Sequence, residues 1–281
     1  MKLLNSVNVV KPRTGCGGTG NCTCKGEQHN DMTQLVDAIQ ERYGQIAERG
    51  SFNESLASSC CGNASSLYSD TDLSTITPQA AGASAGCGNP VGIADVKPGE
   101  TVLDLGSGGG IDCFLAAQAT GDAGHVYGVD MTLAMLKLAR ENAEKLDVQN
   151  VTFLAGRIEA VPMPDESIDL IISNCVIALA PDKKLVFEEI FRLLKPGGRF
   201  VVADVVSTTE LPLEARRNMA EWVSCIGGAD LMSRYLDRIS ETGFVDLDVM
   251  TDVPFQSDAD GDQWRESLRG VTVRAFKPAS A

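Results

Sequence analysis

The chain has few of the side chains that most often carry acid–base or metal chemistry. Its 281 residues include two histidines, His29 and His125, and two tryptophans, and aromatic residues make up 5%. Histidine is the usual proton carrier near neutral pH and a common metal ligand. Catalysis by a histidine base and histidine-rich metal sites are therefore nearly excluded. The chemistry is left to thiols, carboxylates or a bound cofactor.

Positive charge and long apolar runs are scarce as well. The 24 Lys and Arg residues stand against 38 Asp and Glu residues, which gives a net charge of −14. Such a protein repels phosphate backbones and anionic lipid, so neither nucleic acid nor a membrane surface is expected as a partner. No apolar run approaches the ~20 residues that cross a bilayer. The first residues, MKLLNSVNVVK, are too polar for a secretory signal.

Cysteine, in contrast, is plentiful. Nine cysteines without a secretion signal indicate reduced thiols and a cytoplasmic protein. Cys16, Cys22 and Cys24 precede His29 in a polar segment that is expected to lack regular structure. The segment has no C-x2-C pair, and its spacing leaves two interpretations open: a zinc site or a flexible tail with reactive thiols.

Alternating patterns predict an α/β fold from residue 101 onwards. A helix is expected from residue 31, followed by a loop-like segment at 51–88 and a K-P-G-G turn at 195–198. Strands are predicted at 101–105, 125–129, 151–154, 168–173, 199–205, 244–251 and 270–276, and helices at 111–120, 132–146, 182–193, 211–224 and 230–242. The expected fold is a doubly wound, Rossmann-like sheet of seven mainly parallel strands. It ends in an antiparallel hairpin and carries a helical insertion that covers the substrate side.

A glycine-rich turn follows the first strand of this sheet. Residues 101–110 read T-V-L-D-L-G-S-G-G-G, and a helical pattern begins at Ile111. This geometry brings backbone N–H groups and a helix N-terminus to a ligand. A dinucleotide fingerprint would require glycine at 111, and a phosphate-binding loop would require a Lys-Ser/Thr pair, which is missing. A diphosphate is therefore not expected. A turn without a ligand would not need four glycines, which cost backbone entropy.

Two acidic residues flank this turn in a pattern that resembles the cofactor loop of class I S-adenosylmethionine-dependent methyltransferases. Asp104 precedes the glycines, and Asp130 follows the second strand. The resemblance implies that the backbone passes close to the methionine moiety and that Asp130 binds the ribose hydroxyls. The cofactor residues expected from it are Asp104, Gly106, Ser107, Gly108, Asp130, Met131 and Thr132, with Ile158 and Glu159 at the adenine and Asn174 beside cofactor or substrate.

Thiols are expected at the same edge of the sheet. Cys175 follows the strand at 168–173, and ligands of doubly wound sheets bind at the carboxyl ends of strands. Cys225 ends the first inserted helix, and Cys60 and Cys61 lie in the loop before the sheet. The sequence thus predicts that thiols from three segments converge over the cofactor. Two further cysteines are expected to be structural, Cys87 in a glycine turn and Cys113 in the core.

Over residues 35–278 the chain resembles arsenite S-adenosylmethionine methyltransferases. The resemblance is carried by G-C-G-N-P at 86–90, L-D-L-G-S-G-G-G-I-D-C at 103–113, G-V-D-M-T at 128–132, S-N-C-V-I at 173–177, L-K-P-G-G at 194–198, W-x-x-C-x-G-G at 222–228 and residues 271–278. It implies that Cys175, Cys225 and either Cys60 or Cys61 bind trivalent arsenic. It also implies arsenic detoxification and a thiol reductant, glutathione or the thioredoxin system. Ala178 stands where the family usually has Asn.

Two other functions are compatible with these patterns. One is methylation of carbon, oxygen or nitrogen on a small molecule, with structural cysteines. The other is a thiol protein that sequesters a soft ion without turnover, and the glycine turn argues against it. The expected organisation is a flexible cysteine-containing tail at 1–30, an S-adenosylmethionine-binding domain with an N-terminal cap at 31–205, and the arsenic-binding insertion with the final strands at 206–281.

Overall fold

The computed structural model describes residues 27–49, 64–255 and 262–279. Within these ranges eight strands form one sheet: β1 Thr101–Leu105, β2 His125–Asp130, β3 Val151–Ala155, β4 Ile168–Asn174, β5 Leu194–Ser207, β6 Asp230–Leu231, β7 Val245–Pro254 and β8 Leu268–Phe276. The order across the sheet is β3-β2-β1-β4-β5-β8-β7, and β6 pairs with β5. The first five strands are parallel, and β8 is antiparallel to both of its neighbours. The predicted fold class is confirmed, with β6 as an additional short strand.

Helices cover both faces of the sheet. Those in the described ranges are α1 Glu27–Arg49, α2 Ala64–Leu67, α3 Asp70–Ser74, α4 Pro78–Gly82, α5 Pro90–Ala94, α6 Ile111–Thr120, α7 Leu133–Leu146, α8 Lys183–Leu193, α9 Leu213–Arg217, α10 Met219–Trp222 and α11 Met232–Glu241. None of them combines the length and the apolar character that crossing a bilayer requires.

The alternation of side chains along β1 explains why the core has two halves. Leu103 and Leu105 pack into the cluster that contains Phe187 of α8 and Tyr235 of α11. Val102, which faces the other side of the strand, packs into the cluster that contains Phe114 of α6. Successive side chains of a strand point to opposite faces, so apolar residues at both sets of positions are buried on both sides of the sheet. The first strand is therefore at the centre of the fold and carries the glycine turn at its end.

Two expectations about the N-terminal half were wrong. Helix α1 begins at Glu27, so it includes the last residues of the predicted tail. The described part of the predicted loop, 64–88, contains α2, α3 and α4. Ser69 forms a capping box with Asp72, and the side chain of Thr77 accepts the N–H of Ala80 at the start of α4. Because Ser and Thr serve both turns and helix caps, short capped helices are easily taken for loop.

Other local differences arise in the second half of the chain. The predicted K-P-G-G turn at 195–198 lies inside β5, where it bulges out: Ile168 pairs with Leu194, but Leu170 pairs with Arg199. The predicted helix at 211–224 breaks at Asn218, whose side chain accepts backbone N–H groups of the next turn and starts α10. The first two residues of the predicted helix at 230–242 form β6 instead. These differences leave the order of the elements unchanged.

A substitution of Phe187 tests how closely α8 packs on the sheet. It is fully buried, and its ring centroid lies 5.3 Å from that of Tyr235 and 6.2 Å from that of Phe200. Phe187→Ala should lower the free energy of unfolding by about 3–5 kcal/mol, because the neighbouring side chains cannot fully fill the space that the removed ring leaves. Urea unfolding measures this loss. Leu185→Ala on the same helix, where Leu185 is 48% exposed, is the control and should cost less than about 1 kcal/mol. Equal losses would contradict the packing described here.

Candidate active site

A cavity opens at the carboxyl ends of β1, β2 and β4 and encloses about 980 Å³ when the space open to solvent is counted. Helix α1 lies over it: Val36, Ile39 and Tyr43 line the cavity, and Gln40 Nε2 donates a hydrogen bond to the carbonyl of Met131 at 3.0 Å. All ten residues predicted for cofactor binding line the cavity, namely Asp104, Gly106, Ser107, Gly108, Asp130, Met131, Thr132, Ile158, Glu159 and Asn174. The cavity lies at the edge where doubly wound sheets bind their ligands.

The glycine turn approaches its neighbours too closely for side chains. Gly106 has a φ of 74°, and a Cβ built on it would lie 2.5 Å from Cγ2 of Val176. The N–H groups of Gly106 and Ser107 donate to the carbonyl of Val129 at 2.8 and 3.0 Å, which anchors the turn on β2. The Ser107 Oγ is buried and has no hydrogen-bond partner within the described ranges. A buried hydroxyl without a partner in the protein is available for a hydrogen bond with a polar ligand at this turn.

Asp130 ties the glycine turn to the start of α7. Its Oδ2 accepts the N–H of Gly108 at 3.0 Å, and its Oδ1 accepts the N–H of Thr132 at 2.7 Å. Burial raises the pKa of this carboxyl, and the donated N–H groups counteract part of the rise. The carboxylate therefore holds two segments of the cavity wall at once.

Two buried carboxyl groups form the floor of the cavity. Asp104 and Asp112 are 2% and 4% exposed and line the cavity together. Burial raises the pKa of Asp112 to about 6. Burial, and then the charge on Asp112, raises the pKa of Asp104 well above its usual range. Cys113, buried as expected, donates its S–H to Asp104 Oδ2 at 3.3 Å. This floor favours a positively charged ligand in the cavity.

Asn174 connects the cavity to the turn at 86–88. Its Oδ1 accepts the N–H of Cys87 at 3.0 Å, and its Nδ2 donates to the carbonyl of Gly88 at 2.7 Å. The same Nδ2 also lies 3.0 Å from the hydroxyl of Tyr68, which donates to Asp112 at 2.9 Å. Tyr68 and Asp112 were not predicted from the sequence. A lone acid in the first turn of an apolar helix could have revealed Asp112, whereas nothing in the sequence distinguishes Tyr68.

Glu159, predicted at the adenine, has a partner within the chain. Its carboxylate accepts a hydrogen bond from Arg157 at 2.9 Å, and both residues line the cavity beside Ile158. The side chain of Glu159 is 15% exposed and that of Arg157 is 44% exposed. This ion pair holds the carboxylate of Glu159 at the cavity wall. The contact of Glu159 with the adenine base stays a prediction.

The structure brings together two of the four cysteines predicted as arsenic ligands. The Cys225 Sγ donates a hydrogen bond to the carbonyl of Cys175 at 3.1 Å, and Cys175 lines the cavity. Cys175 and Cys225 have φ values of 59° and 65°. Left-handed backbone is unfavourable for residues other than glycine and is maintained by its surroundings, typically at functional sites. The two cysteines are almost completely buried, with 2% and 0% exposure.

The structure describes only some of the other cysteines. Cys60 and Cys61 lie outside the described residues. Cys87, expected to be structural, packs against the apolar cluster that contains Cys175 and Cys225. Within 27–49, 64–255 and 262–279, no group of three or more His, Cys, Asp or Glu side chains is arranged to hold a metal ion. The predicted three-thiol set is thus incomplete in this part of the chain.

Comparison with known proteins identifies the class of protein to which this chain belongs. A family model described as a methyltransferase domain matches residues 96–267, which include the glycine turn, Asp130 and both cysteines. Together with the strand order, this match makes the chain a class I S-adenosylmethionine-dependent methyltransferase.

Comparison with individual proteins identifies the family within this class of methyltransferases. An arsenite methyltransferase of Halobacterium salinarum is 38% identical over an alignment of 284 positions, gaps included, that covers 92% of this chain and 72% of the relative. One from Aquipseudomonas alcaligenes is 37% identical and covers 78% of this chain and 65% of the relative. The arsenic(III) S-adenosylmethionine methyltransferase of Chlamydomonas reinhardtii superposes with a TM-score of 0.59 at 34% identity, over 69% of this chain and 67% of that one. The chain belongs to the arsenite methyltransferase family.

The cavity fits S-adenosylmethionine, the methyl donor of this class. The orphan Ser107 Oγ suits a polar ligand, and the carboxyl groups of Asp104 and Asp112 suit its positively charged sulfonium. Asp130 would hold the ribose, and the segment at 156–159 would border the base. When bound, the cofactor supplies an electrophilic methyl group.

Asp130→Ala should weaken binding of S-adenosylmethionine at least about tenfold. The variant removes the acceptor of two backbone N–H groups of the cavity wall, and hydrogen bonds to charged groups contribute about 1.5–3 kcal/mol each. Calorimetric titration measures the affinity. Asp122→Ala, at an exposed turn before β2, is the matched control. An unchanged affinity in Asp130→Ala would contradict the assigned role.

Asp112 should make the stability depend on pH. Its folded pKa of about 6 lies above the ordinary value, so its contribution is present at low pH and lost as the pH rises through 6. Asp112→Asn should therefore flatten the decrease of unfolding free energy between about pH 4 and pH 6, by up to about 1.4 kcal/mol per pH unit. Urea unfolding at several pH values tests this. A wild-type slope retained in the variant would assign the decrease to other groups.

Proposed function

We propose that the protein transfers the methyl group of S-adenosylmethionine to thiolate-bound trivalent arsenic, arsenite and its methylated forms, as part of arsenic detoxification. The observation that carries this proposal is the contact between Cys225 and the carbonyl of Cys175, 3.1 Å at the edge of the cofactor cavity. The segment 31–205 would supply the cofactor cavity and Cys175, and the segment 206–281 would supply Cys225. The tail at 1–30 has no part in this proposal.

Thiolates suit this substrate because trivalent arsenic is a soft, thiophilic centre. Three thiolates leave it pyramidal with a lone pair, which is the nucleophile for the methyl group. We propose Cys175, Cys225 and one residue of the pair Cys60 and Cys61 as ligands. After one methylation, two thiolates suffice. No proton has to be removed from arsenic, so the scarcity of histidine is no obstacle.

The chain's own contribution would be positioning. Cys175 and Cys225 are almost fully buried, which excludes water from bound arsenic, and Cys175 borders the same cavity as Asp104 and Asp112. Holding two reactants in line supplies up to about 7–11 kcal/mol of the barrier. The turn that carries Cys175 and the glycine turn are in direct contact, so both reaction partners rest on one rigid edge.

A thiol reductant follows from the electron balance. In the transfer, the lone pair of arsenic would form the new As–C bond while the C–S bond of the sulfonium breaks and its electron pair stays on the sulfur of S-adenosylhomocysteine. Arsenic would thereby become formally pentavalent. Its return to the trivalent state takes two electrons, which a pair of thiols supplies as it forms a disulfide. We propose glutathione or a thioredoxin-type protein as the source. The same need for reduced thiols makes the cytoplasm the proposed location.

Two other functions make different predictions. A methyltransferase for carbon, oxygen or nitrogen of a small metabolite would keep its activity in Cys175→Ser and Cys225→Ser. A protein that only sequesters soft ions would bind arsenite without dependence on S-adenosylmethionine. The close packing of the cofactor cavity against the cysteines favours transfer over either alternative.

The test is incubation with arsenite, S-adenosylmethionine and a thiol reductant, followed by speciation of methylated arsenic. The intact protein should form methylated product. Cys175→Ser and Cys225→Ser should each lose at least about 100-fold in rate, because oxygen is a hard ligand and binds arsenic weakly. The comparison of Cys60→Ser with Cys61→Ser then assigns the third ligand.

Cys22→Ser, in the tail outside the resemblance, serves as the control and should keep the rate. Absence of methylated product from well-folded protein would refute the proposed function. Full activity in both Cys175→Ser and Cys225→Ser would refute the ligand assignment.

A further inference from the structure

Several hydrogen bonds converge on the turn that follows β4. Cys175 begins the turn with its left-handed backbone, and a 3₁₀ turn, Ile177–Leu179, follows. Trp222 Nε1 donates to the carbonyl of Leu179 at 3.1 Å. Gly228 passes so close that a Cβ there would lie 2.0 Å from the carbonyl oxygen of Ala178. The turn is thus enclosed by the inserted segment after β5.

A buried lysine holds the carbonyl groups of this turn. Lys183, the first residue of α8, is 7% exposed, and its Nζ donates to the carbonyls of Ala178 and Ala180, each at 3.2 Å. Lysine is rarely buried unless it is paired. Burial lowers the pKa of Lys183 to about 8. The charged groups that act on it are Asp204, Asp230, Arg216 and Arg238.

A buried carboxyl group lies beside the same peptide. Asp204 of β5 is fully buried; burial raises the pKa of its carboxyl to about 6, and the charge of Lys183 and the nearby backbone N–H groups of Val205 and Ala178 counteract part of the rise. Its Oδ1 accepts the N–H of Val205 at 3.0 Å, and its Oδ2 accepts the hydroxyl of Tyr235 at 3.1 Å. Lys183 therefore holds the carbonyl of Ala178 while Asp204 lies near the same peptide, and each offsets the charge of the other.

We propose that Lys183 is a positioning residue for Cys175, with Asp204 as its buried counter-charge. By holding the carbonyls of Ala178 and Ala180, Lys183 imposes the turn that keeps Cys175 in its left-handed conformation at the cavity. A lysine is not required to fill this space, since apolar side chains of similar size pack as well as buried charged groups. What an apolar side chain lacks is the donor for the carbonyls of Ala178 and Ala180. The proposal rests on the proposed function where arsenic is the ligand of Cys175.

The experiment compares three variants with the wild type. Lys183→Met removes the donor and keeps the volume. Lys183→Met combined with Asp204→Asn removes the charge of the carboxylate as well. Lys184→Met, whose ammonium lies at the surface near Glu188, is the matched control. Three quantities are measured on each full-length protein: amide hydrogen exchange across residues 174–180, the affinity for arsenite, and the affinity for S-adenosylmethionine.

In Lys183→Met, the amides of the turn should exchange at least about tenfold faster, and the arsenite Kd should rise about 10–100-fold, as for outer-shell partners of metal ligands. The affinity for S-adenosylmethionine should fall clearly less than the affinity for arsenite, because Lys183 contacts neither Asp130 nor the glycine turn and reaches the cofactor cavity only through the turn at 175–180. Lys184→Met should match the wild type in all three measurements. A parallel loss of both affinities would show general damage and overturn the proposal.

The double variant separates positioning from charge balance. Without its buried counter-charge, Asp204 destabilises Lys183→Met, and Asp204→Asn should restore the melting temperature. The proposal requires the turn to exchange fast and arsenite to bind weakly even then. If the double variant recovered the wild-type exchange rate and arsenite affinity, Lys183 would serve only to balance the charge of Asp204. That result would overturn the proposal. If the wild type itself fails to bind arsenite, the proposed function is refuted, and hydrogen exchange still decides whether Lys183 holds the turn.

Discussion

The contact between two turns is the constraint on which the rest of the site depends. Gly106, after β1, lies against Val176, after β4, so closely that a Cβ would stand 2.5 Å from a methyl carbon of that valine. β1 and β4 are neighbouring parallel strands, and their carboxyl ends must therefore meet at one edge of the sheet. The cofactor loop and the turn of Cys175 share a wall as a result. The cofactor cavity and the thiols are adjacent because the glycine has no side chain.

The electrostatic character of the site matches a reaction between a cation and a thiolate-bound centre. Asp104 and Asp112 are buried beneath the cavity, and their raised pKa values show how unfavourable their charges are there without a positive ligand. A cationic methyl donor bound in this cavity would lie close to Cys175, which lines it. On the proposed function, the carboxylates would balance this charge and the thiols would bind arsenic, and a chain with two histidines can build such a site.

Local patterns predicted the helices and strands well because buried elements have recognisable runs or repeats of apolar residues in the sequence. The bounds of β1 and α6 agree with prediction, since an apolar run and a glycine turn mark them. The same reasoning missed α2 to α4, where capping residues resemble loop, and the bulge at 195–198, where glycine and proline resemble a turn. In the site, the glycine turn led to the cavity-lining residues, but Tyr68 and Asp112 have meaning only through their contacts with Asn174.

The sequence by itself determined the class of the protein and the kind of chemistry. The spacing of glycines, the acid after the second strand and the abundance of cysteine are local features, and local features specify a cofactor loop and soft ligands. Only the tertiary structure decided that Cys225 meets Cys175, that both have left-handed backbone, and that the ammonium group of Lys183 holds the carbonyl of Ala178. These contacts join elements far apart in the chain, so they depend on how helices and strands pack, which no short stretch of sequence encodes.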